Sequence, residues 1–420
     1  MNRKLNITGV VQGVGFRPFI YQLAKHYHLN GSISNNTAGV SIELEGKERA
    51  IEAFVEALHS ELPPLARIDT LTSEDAPYVG YTSFQILESN AKNKKSTLVS
   101  PDIAICKNCL QEMHDPANRR YAYPFINCTD CGPRYSIIET LPYDRPNTSM
   151  HCFTMCKACQ KEYMDPLDRR FHAQPISCPD CGPTLQLLDP KKNILKEGSD
   201  TIKLTADAIK KGAIVAVKGL GGFHLICDAS STNAVNTLRK RKQRPVKPFA
   251  VMFPDIDSVK ASAEISLSEA KLITSKEKPI VIVPKRRESL LSPLVAPGID
   301  RIGVFLPYTP LHHRLLENVK VPLVATSANH SDEPIIRNSL ELLEKLGSVV
   351  DLVLDHNRNI LNANDDSVLQ VADNEKITLR MSRGYAPKSI KLPFKSEKKI
   401  LAVGANQKNS MSLIFDDTLI

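Results

Sequence analysis

The pattern of apolar and polar positions in the first 88 residues predicts a small unit of mixed helix and strand. Residues 39–46 alternate apolar and polar side chains, which is typical of a strand with one buried face. The next segment carries an apolar stripe at helical spacing, formed by Ile51, Phe54, Val55, Leu58 and Leu62. With a strand at residues 5–11 and a helix from Pro18, the predicted order is β-α-β-β-α-β.

The rest of the chain divides by composition. Residues 89–97 are polar and lysine-rich, as in a linker, and residues 98–185 contain most of the cysteines. Short buried strands alternate with helical patterns from about residue 200 to 388, which predicts a mixed α/β domain. The apolar runs are far shorter than the ~20 residues that cross a bilayer, so we expect a cytoplasmic protein without membrane contact. The predicted domains are 1–90, 98–190, 198–388 and 398–420.

The cysteines follow an internal repeat with an offset of 50 residues (Cys106 to Cys156). One unit of the form C-x2-C-x18-C-x2-C-G-P occurs twice, and a Glu, an Asp-Pro and an Arg-Arg recur in register. Thiolates two residues apart suit one tetrahedral ion, and four such pairs are enough for two closed zinc sites. The sequence therefore predicts a double zinc-finger module with two structural Zn²⁺ ions, held by Cys106, Cys109, Cys128, Cys131, Cys156, Cys159, Cys178 and Cys181.

Three points about this module stay open at the level of sequence. The ions bind either within each repeat or across the repeats, and His151 or Cys152 is an alternative ligand near the second unit. The pairs Arg119-Arg120 and Arg169-Arg170 lie either in a salt-bridged surface or against an anionic substrate or a neighbouring domain. Because the region has few apolar residues, zinc would provide folding free energy that a small core cannot.

A glycine-interrupted loop in the first unit has the composition of an anion-binding site. Gly13 and Gly15 allow the backbone to curl so that several N–H groups face one anion. Arg17 adds a planar two-pronged donor that fits a phosphoryl group. The net charge of +8 agrees with an anionic ligand or with a solvated basic surface, and it does not choose between them.

The run VQGVGFR, from Val11 to Arg17, resembles the motif of acylphosphatases. Asn35 matches the second catalytic residue of that family in its G-x-V-x-N context, with Ile33 in place of Val. The resemblance implies a ferredoxin-like acylphosphatase domain. It also implies that Arg17 and the loop amides bind phosphate, while Asn35 orients the attacking water. A phosphate-binding fold without activity is the alternative.

The α/β region contains two candidate nucleotide-binding segments. Six of the ten residues from Arg239 to Pro248 are basic, and a bound anion would relieve their repulsion. A flexible basic loop is the alternative. Ser327 and Asn329 follow a buried strand and offer donors for phosphate or ribose. Lys218 precedes a glycine-rich turn without the Gly-Lys-Ser/Thr ending of a Walker A loop.

These segments resemble the YrdC-like α/β domain, which is marked by a K-x-R loop and an S-x-N motif. Asp365-Asp366 and the run from Arg380 to Arg383 look like the HypF version of this domain, although Ala363 and Met381 stand where arginine is frequent. The resemblance implies that ATP binds together with Mg²⁺. The residues that would bind the nucleotide are Lys218, Lys240, Lys242, Arg244, Lys247, Ser327, Asn329 and Arg383.

In this order, the domains resemble the HypF-type carbamoyltransferases of nickel–iron hydrogenase maturation. The resemblance implies that carbamoyl phosphate is hydrolysed and that ATP is used to form carbamoyl adenylate. The carbamoyl group would then pass to the C-terminal cysteine of HypE for cyanide-ligand synthesis. Residues 398–420 look like the start of a truncated carbamoyl-transferase domain, and no histidine follows His356. We therefore expect this chain to make carbamoyl adenylate without completing the transfer.

Two other functions agree with parts of the sequence. YrdC-like domains also make threonylcarbamoyl adenylate for tRNA modification, although an acylphosphatase motif has no role there. A non-catalytic zinc scaffold would instead bind RNA through its basic surface. The HypF-type prediction expects carbamoyl phosphate, ATP and HypE as partners, and no nucleic acid.

Overall fold

A computed structural model describes residues 1–36, 39–63, 65–87, 99–331, 333–404 and 411–420. The linker predicted at 89–97 lies outside these residues. Within them, the strands form a five-stranded sheet, an eleven-stranded sheet and a two-stranded hairpin. In the described part of the chain, no helix is both long and apolar enough to pass through a bilayer.

The five-stranded sheet has the order β4-β1-β3-β2-β5 and confirms the predicted α+β unit, with one additional short strand at its edge. Strand β1 runs antiparallel to β3 and β4, and β2 runs parallel to β5. Both helices bury their apolar stripes in one core with the strands. The elements are β1 (Asn2–Val10), α1 (Phe16–His26), β2 (Asn30–Asn36), β3 (Gly39–Glu45), α2 (Glu48–Ser60), β4 (Arg67–Ala76) and β5 (Phe84–Ile86).

The double-finger module contains little regular structure. Each repeat begins its helix directly after the first cysteine of a C-x2-C pair, and the sulfur of that cysteine accepts a hydrogen bond from the amide of the second. The short helices are therefore capped by the metal-binding motif itself. The elements are α3 (Lys107–His114), the 3₁₀ turns Tyr135–Ile137 and Arg145–Asn147, and α4 (Lys157–Met164).

The large sheet begins with two strands and a helix that precede the first strand predicted from sequence. The first of these strands, Leu185–Leu188, pairs antiparallel with a strand near residue 354. The elements up to residue 262 are β6 (Leu185–Leu188), β7 (Ile194–Glu197), α5 (Asp200–Lys210), β8 (Val215–Lys218), β9 (Phe223–Asp228), α6 (Thr232–Arg241), β10 (Ala250–Met252) and α7 (Ile256–Ser262).

The remaining elements complete an eleven-stranded sheet with the order β16-β15-β11-β12-β10-β13-β9-β8-β14-β6-β7. They are α8 (Leu267–Thr274), β11 (Ile280–Pro284), a 3₁₀ turn (Pro293–Val295), β12 (Arg301–Phe305), α9 (Pro310–Val319), β13 (Leu323–Ser327), α10 (Ser339–Leu346), β14 (Leu352–His356), β15 (Val368–Ala372) and β16 (Glu375–Arg380).

Helices cover both faces of this sheet, which explains why its central strands are apolar throughout. Helices α6, α7, α8 and α10 contribute to the core on one face, and α5 and α9 contribute to the core on the other. Tyr123, Phe125 and Ile126 of the finger module belong to the second core. The finger module is therefore packed on the α5–α9 face by apolar contacts.

The last two strands, β17 (Ile390–Val403) and β18 (Met411–Leu419), pair antiparallel. Residues 398–420, which from sequence resemble the start of a further domain, belong to this pair of strands, whose first strand begins earlier, at Ile390. Residues 405–410 lie outside the described part of the chain.

Candidate functional site

The glycine-interrupted loop connects β1 to α1 and adopts a conformation that favours glycine. Gly13 and Gly15 have φ angles of 71° and 75°, in the left-handed region. Helix α1 begins at Phe16, two residues before the predicted start at Pro18. The free N–H groups of its first turn therefore lie beside the loop, as an anion site requires.

A cleft over this loop is closed by the finger module, which the sequence did not predict. Arg17 is 8 % exposed, and its Nη2 lies 3.0 Å from Oδ1 of Asp144, a residue of the finger region. A Cβ added to Gly13 would lie 3.0 Å from the ring of Tyr143. The lining includes Gly13, Gly15, Arg17, Thr129, Arg134 and Tyr143.

Arg134 ties the finger module to the loop. Its side chain is buried, and Nε donates to the carbonyl of Gly13 at 2.5 Å. Its Nη atoms donate to four further carbonyls, those of Cys128, Thr129, Cys131 and Pro133. Because Arg134 uses its donors on carbonyls and is always protonated, it adds positive charge to the cleft without a carboxylate partner among the described residues.

Two titratable side chains of the cleft are neutral at pH 7. Burial and the nearby charge of Arg17 lower the pKa of His172 to about 4. Burial raises the pKa of Tyr143 to about 12. The positive charge of the cleft therefore comes from Arg17 and Arg134. His172 and Tyr143 do not change their protonation state near pH 7, so neither contributes charge toward a bound anion.

Asn35 lies on β2 and is 1 % exposed. Neither atom of its amide has a hydrogen-bond partner in the described structure. A buried polar group without a hydrogen-bond partner lowers the stability of a fold by about 1–3 kcal/mol. Because of this cost, an unpaired buried amide indicates a site where a ligand or water binds. Asn35 is not among the described residues that line the cleft, and its catalytic role stays a prediction.

The eight predicted cysteines form two tetrahedral groups, one within each repeat. A Zn–S distance of about 2.3 Å requires sulfur atoms about 3.8 Å apart in a tetrahedron. The observed Sγ–Sγ distances are 3.6–3.8 Å in the first group and 3.6–3.7 Å in the second. The donor set and its spacing fit structural zinc, and the crossed pairing is not observed.

His151 and Cys152 belong to neither group. His151 Nδ1 lies 2.8 Å from the carbonyl of Thr148, and the exposed thiol of Cys152 donates to the carbonyl of Ser149.

The arginine pairs exchange partners between the repeats. Arg169 of the second repeat donates from Nη2 to Sγ of Cys109 at 2.7 Å and from Nε to Glu112 at 2.9 Å. Arg119 of the first repeat donates from Nη2 to Sγ of Cys178 at 3.1 Å and from Nη1 to Glu162 at 3.0 Å. Each arginine pair thus offsets the negative charge of the opposite thiolate group.

The second arginine of each pair is buried in the same exchange. Arg120 forms an ion pair with Glu162, and Arg170 forms one with Glu112. Their side chains are 1 % and 5 % exposed. Of the two alternatives for these pairs, the salt bridges are present: Arg120 and Arg170 are buried, whereas Arg119 and Arg169 are partly exposed.

The K-x-R loop and the S-x-N motif are brought together in the large sheet. Lys242 Nζ donates to the carbonyl of Ser327 and lies 3.4 Å from Oδ1 of Asn329. Arg244 Nη1 lies 3.5 Å from Oγ1 of Thr326 on the same strand, β13. Lysine, arginine, hydroxyl and amide groups therefore converge where β13 ends, as phosphate or ribose recognition requires.

The other predicted nucleotide ligands lie in three different places. Lys240 is exposed in the last turn of α6, and Lys247 is exposed in the loop that follows this helix. Lys218 is 6 % exposed, pairs with Asp355 at 3.0 Å and lies in a separate cavity beside the finger module. Arg383 is 1 % exposed and donates to Asp366 and to the carbonyls of Glu277 and Lys278.

Arg383 belongs to a buried polar network that sequence reasoning missed. Asp366 bridges Nε of Arg383, at 2.7 Å, and Nε2 of His224, at 3.0 Å. The guanidinium of Arg383 stacks on the ring of Tyr308 at 3.4 Å from its centroid. Although burial opposes it, Arg383 and His224 hold the pKa of Asp366 far below its usual range. The geometry gives Arg383 a structural role, and a contact with nucleotide stays a prediction.

Comparison with known families agrees with this division of the chain. The acylphosphatase model matches residues 3–86. The model named HypF finger matches residues 105–138 and 155–188. The Sua5/YciO/YrdC model, which carries the description telomere recombination, matches residues 207–382.

Relatives that match nearly the whole chain are carbamoyltransferases named HypF. The protein from Synechocystis is 47 % identical over 409 residues, which are 97 % of this chain and 53 % of that protein. HypF2 of Cupriavidus necator is 45 % identical over an alignment of 436 positions, gaps included, that covers 99 % of this chain and 54 % of that protein. The chain belongs to the HypF family. It spans about half the length of these HypF relatives.

Solved HypF structures have the same fold as this chain. A full-length HypF in a phosphate- and nucleotide-bound form superposes with a TM-score of 0.95 at 45 % identity, covering 100 % of this chain and 55 % of that one. HypF of T. kodakarensis superposes with a TM-score of 0.92 at 43 % identity, with coverage of 100 % and 53 %. The three-part architecture is therefore that of HypF proteins.

Proposed function

We propose that this chain hydrolyses carbamoyl phosphate at the Arg17 loop and uses ATP at the polar cluster of Lys242 and Ser327 to form carbamoyl adenylate. The main support is the Arg17 cleft. It combines a left-handed glycine loop, a helix N-terminus and two arginines in a site enclosed by the finger module. Such a site stabilises a phosphoryl group by fixed donors and charge, without a metal ion.

In the first step, the loop amides and Arg17 hold the phosphoryl group. Water attacks phosphorus, the bond between phosphorus and the carbamoyl oxygen breaks, and the products are carbamate and inorganic phosphate. Asn35, whose buried amide has no partner in the described structure, would orient that water. The phosphoryl group would replace Asp144 at Arg17, since both bind the same guanidinium.

In the second step, a carbamate oxygen attacks the α-phosphorus of ATP and pyrophosphate leaves. Lys242 and Arg244 lie beside Ser327 and Asn329, where they would offset the charge on the phosphates. The two cysteine sets are the only close groups of three or more acidic, His or Cys side chains in the described part of the chain. Mg²⁺ would therefore be held chiefly by the nucleotide.

The carbamoyl group would then pass to the C-terminal cysteine of HypE for cyanide-ligand synthesis. Family membership supports HypE as the acceptor, and transfer by this chain alone is not part of the proposal.

A second candidate is the synthesis of threonylcarbamoyl adenylate. A threonylcarbamoyl-AMP synthase of Photobacterium profundum is 25 % identical to 37 % of this chain, over 86 % of its own length. Pyrophosphate exchange into ATP separates the two candidates. Exchange that depends on carbamoyl phosphate supports the proposal, and exchange that depends on threonine with bicarbonate supports the alternative.

The decisive experiment is product analysis with carbamoyl phosphate and ATP in the wild type and in Arg17→Ala. We expect the variant to lose phosphate release and carbamoyl-phosphate-dependent pyrophosphate release together, each by at least about 100-fold. Arg49→Ala, at an exposed arginine of α2, is the matched control and should retain both. Unchanged phosphate release in Arg17→Ala would contradict the proposal.

A further inference from the structure

A second cavity lies between the first finger repeat and the large sheet. Its lining includes Phe125, Gly132, Pro133, Lys218, His356 and Arg358. The three basic side chains are buried, with exposed fractions of 6 % for Lys218, 3 % for His356 and 6 % for Arg358. Buried basic groups normally have carboxylate partners, so the partners of these three decide what the cavity can hold.

Two of these groups are already neutral or neutralised. Lys218 pairs with Asp355 at 3.0 Å and donates to the carbonyl of His356 at 2.8 Å. Burial, together with the charges of Lys218 and Arg358, lowers the pKa of His356 well below its usual value. At neutral pH, neither Lys218 nor His356 therefore contributes an unbalanced charge.

Arg358 is the group without a partner. Among the described residues, its guanidinium forms no ion pair and no hydrogen bond, and Nε is fully buried. The guanidinium lies over the aromatic ring of Phe125, with Cζ 5.4 Å from the ring centroid. Burial lowers the pKa of Arg358 to about 10, so the group stays protonated at pH 7. The cavity therefore holds a buried guanidinium without an ion pair; the carboxylate of Asp102 acts on it only through space and raises its pKa. A buried cation without a direct partner is costly unless an anion is bound.

The nearest alternative is a structural role with Asp102. Asp102 is fully buried, and its Oδ1 accepts bonds from the amides of Arg134 and Ser136 and from the Ser136 hydroxyl. Its Oδ2 has no partner, yet it forms no ion pair with Arg358. A water molecule between the two would satisfy both groups without any ligand.

The cavity shares part of its lining segment with the Arg17 cleft. Gly132 and Pro133 line this cavity, while Thr129 and Arg134 of the same segment line the Arg17 cleft. Tyr143 of that cleft donates to the carbonyl of Pro133 at 3.3 Å. Residues 129–134 therefore contribute to the lining of both the phosphate site and the cavity that contains Arg358.

We propose that Arg358 binds a small planar monoanion of the carboxylate type in this cavity. Three features select this class of ligand. A guanidinium without an ion pair favours a ligand of low negative charge, and its planar fork matches two coplanar oxygens. Part of the lining is apolar, including Phe125 and Pro133. This lining disfavours a phosphate dianion, because a dianion is more strongly hydrated and costs more to remove from water than a monoanion. If the proposed function holds, the physiological ligand is carbamate released at the Arg17 cleft.

The test uses formate as a stable planar monoanion, because carbamate decomposes. Binding of ¹³C-formate to the whole chain is followed by NMR line broadening, with saturating inorganic phosphate present to occupy phosphate sites. We expect Arg358→Met to weaken formate binding at least tenfold, and Arg358→Lys to weaken it less. Arg287→Met, at an exposed arginine of the same domain, should bind formate like the wild type.

Each outcome bears on the ligand independently of catalysis, since formate binding requires no turnover. Equal binding by wild type and Arg358→Met, or no binding in the wild type, would overturn the site and favour a water bridge to Asp102. Displacement of formate when phosphate is raised above the concentration that saturates the Arg17 cleft would overturn the planar class. If Arg358→Met does not fold, crystals of the wild type soaked in bromide test the site instead. We expect the anomalous signal of a bound bromide ion beside the guanidinium of Arg358. Water alone at that position would overturn the proposal.

Discussion

Replacing Arg169 with methionine should weaken zinc binding in the first repeat, although Arg169 belongs to the second. In the structure, its Nη2 donates to Sγ of Cys109 at 2.7 Å and its Nε to Glu112 at 2.9 Å. Methionine keeps much of the length of the side chain and removes its charge and donors. The four thiolates around Zn²⁺ would then lose one source of positive charge.

The size of the effect follows from these contacts. A hydrogen bond to a charged group contributes about 1.5–3 kcal/mol, which corresponds to about 10- to 150-fold in affinity. The Arg169 side chain is 26 % exposed, so solvent screens part of this interaction. We therefore expect the lower half of that range, about 10- to 40-fold weaker binding at the first site.

The assay combines competition with a chromogenic chelator and mapping of the exposed thiols. After partial removal of zinc, alkylation and mass spectrometry identify the site that opened. Arg169→Met should expose Cys106, Cys109, Cys128 and Cys131 first. Arg119→Met should have the mirror effect and expose Cys156, Cys159, Cys178 and Cys181 first, because Arg119 donates to the second group.

Lys161→Met, at an exposed position of α4, is the matched control and should retain both zinc ions as the wild type does. The reasoning is refuted if Arg169→Met releases zinc from its own repeat first. It is also refuted if the wild type and Arg169→Met release both ions at the same chelator concentration, since the contact with Cys109 would then contribute nothing measurable.

Three further predictions concern the other sites. Asp144→Asn should bind inorganic phosphate more tightly than the wild type, because Arg17 is no longer shared with a carboxylate; weaker binding by ³¹P NMR would mean that Asp144 instead positions Arg17. Lys242→Met should weaken ATP binding about 10- to 100-fold in calorimetry, and an unchanged affinity would remove this lysine from the proposed nucleotide site. Arg383→Met should lower the free energy of unfolding in urea by about 3–5 kcal/mol, because Asp366 would stay buried and lose its ion pair; a loss below about 1 kcal/mol would contradict the structural role.

The features that sequence predicted well are those fixed by neighbouring residues. The conformation of Gly13 and Gly15 follows from their place between a strand and a helix. The C-x2-C spacing determines the geometry of its own pair of thiolates, so zinc was predictable. The alternation in residues 39–46 and the helical stripe from Ile51 to Leu62 likewise predicted the elements of the first sheet.

The features that sequence did not predict depend on contacts between distant segments. Asp144 reaches Arg17 across 127 residues, and no local pattern marks it. Arg383 carries the charge expected of a phosphate ligand, but its burial beside Asp366 is decided by the packing of the large sheet. Arg358 stands in no motif. The only available signal was a basic residue shortly after the buried strand that ends at His356, which is too common to identify a site.

The position of Arg134 explains why a zinc module lies between two sites that contain no zinc. Its guanidinium donates to the carbonyls of Cys128 and Cys131, two residues of the first zinc group, and to the carbonyl of Gly13 in the phosphate loop. The same turn contributes Gly132 and Pro133 to the cavity of Arg358. Because metal binding fixes the turn from Cys128 to Cys131, it also fixes one wall of each site. A small core could not hold such a turn against two partners, whereas a closed set of four thiolates can.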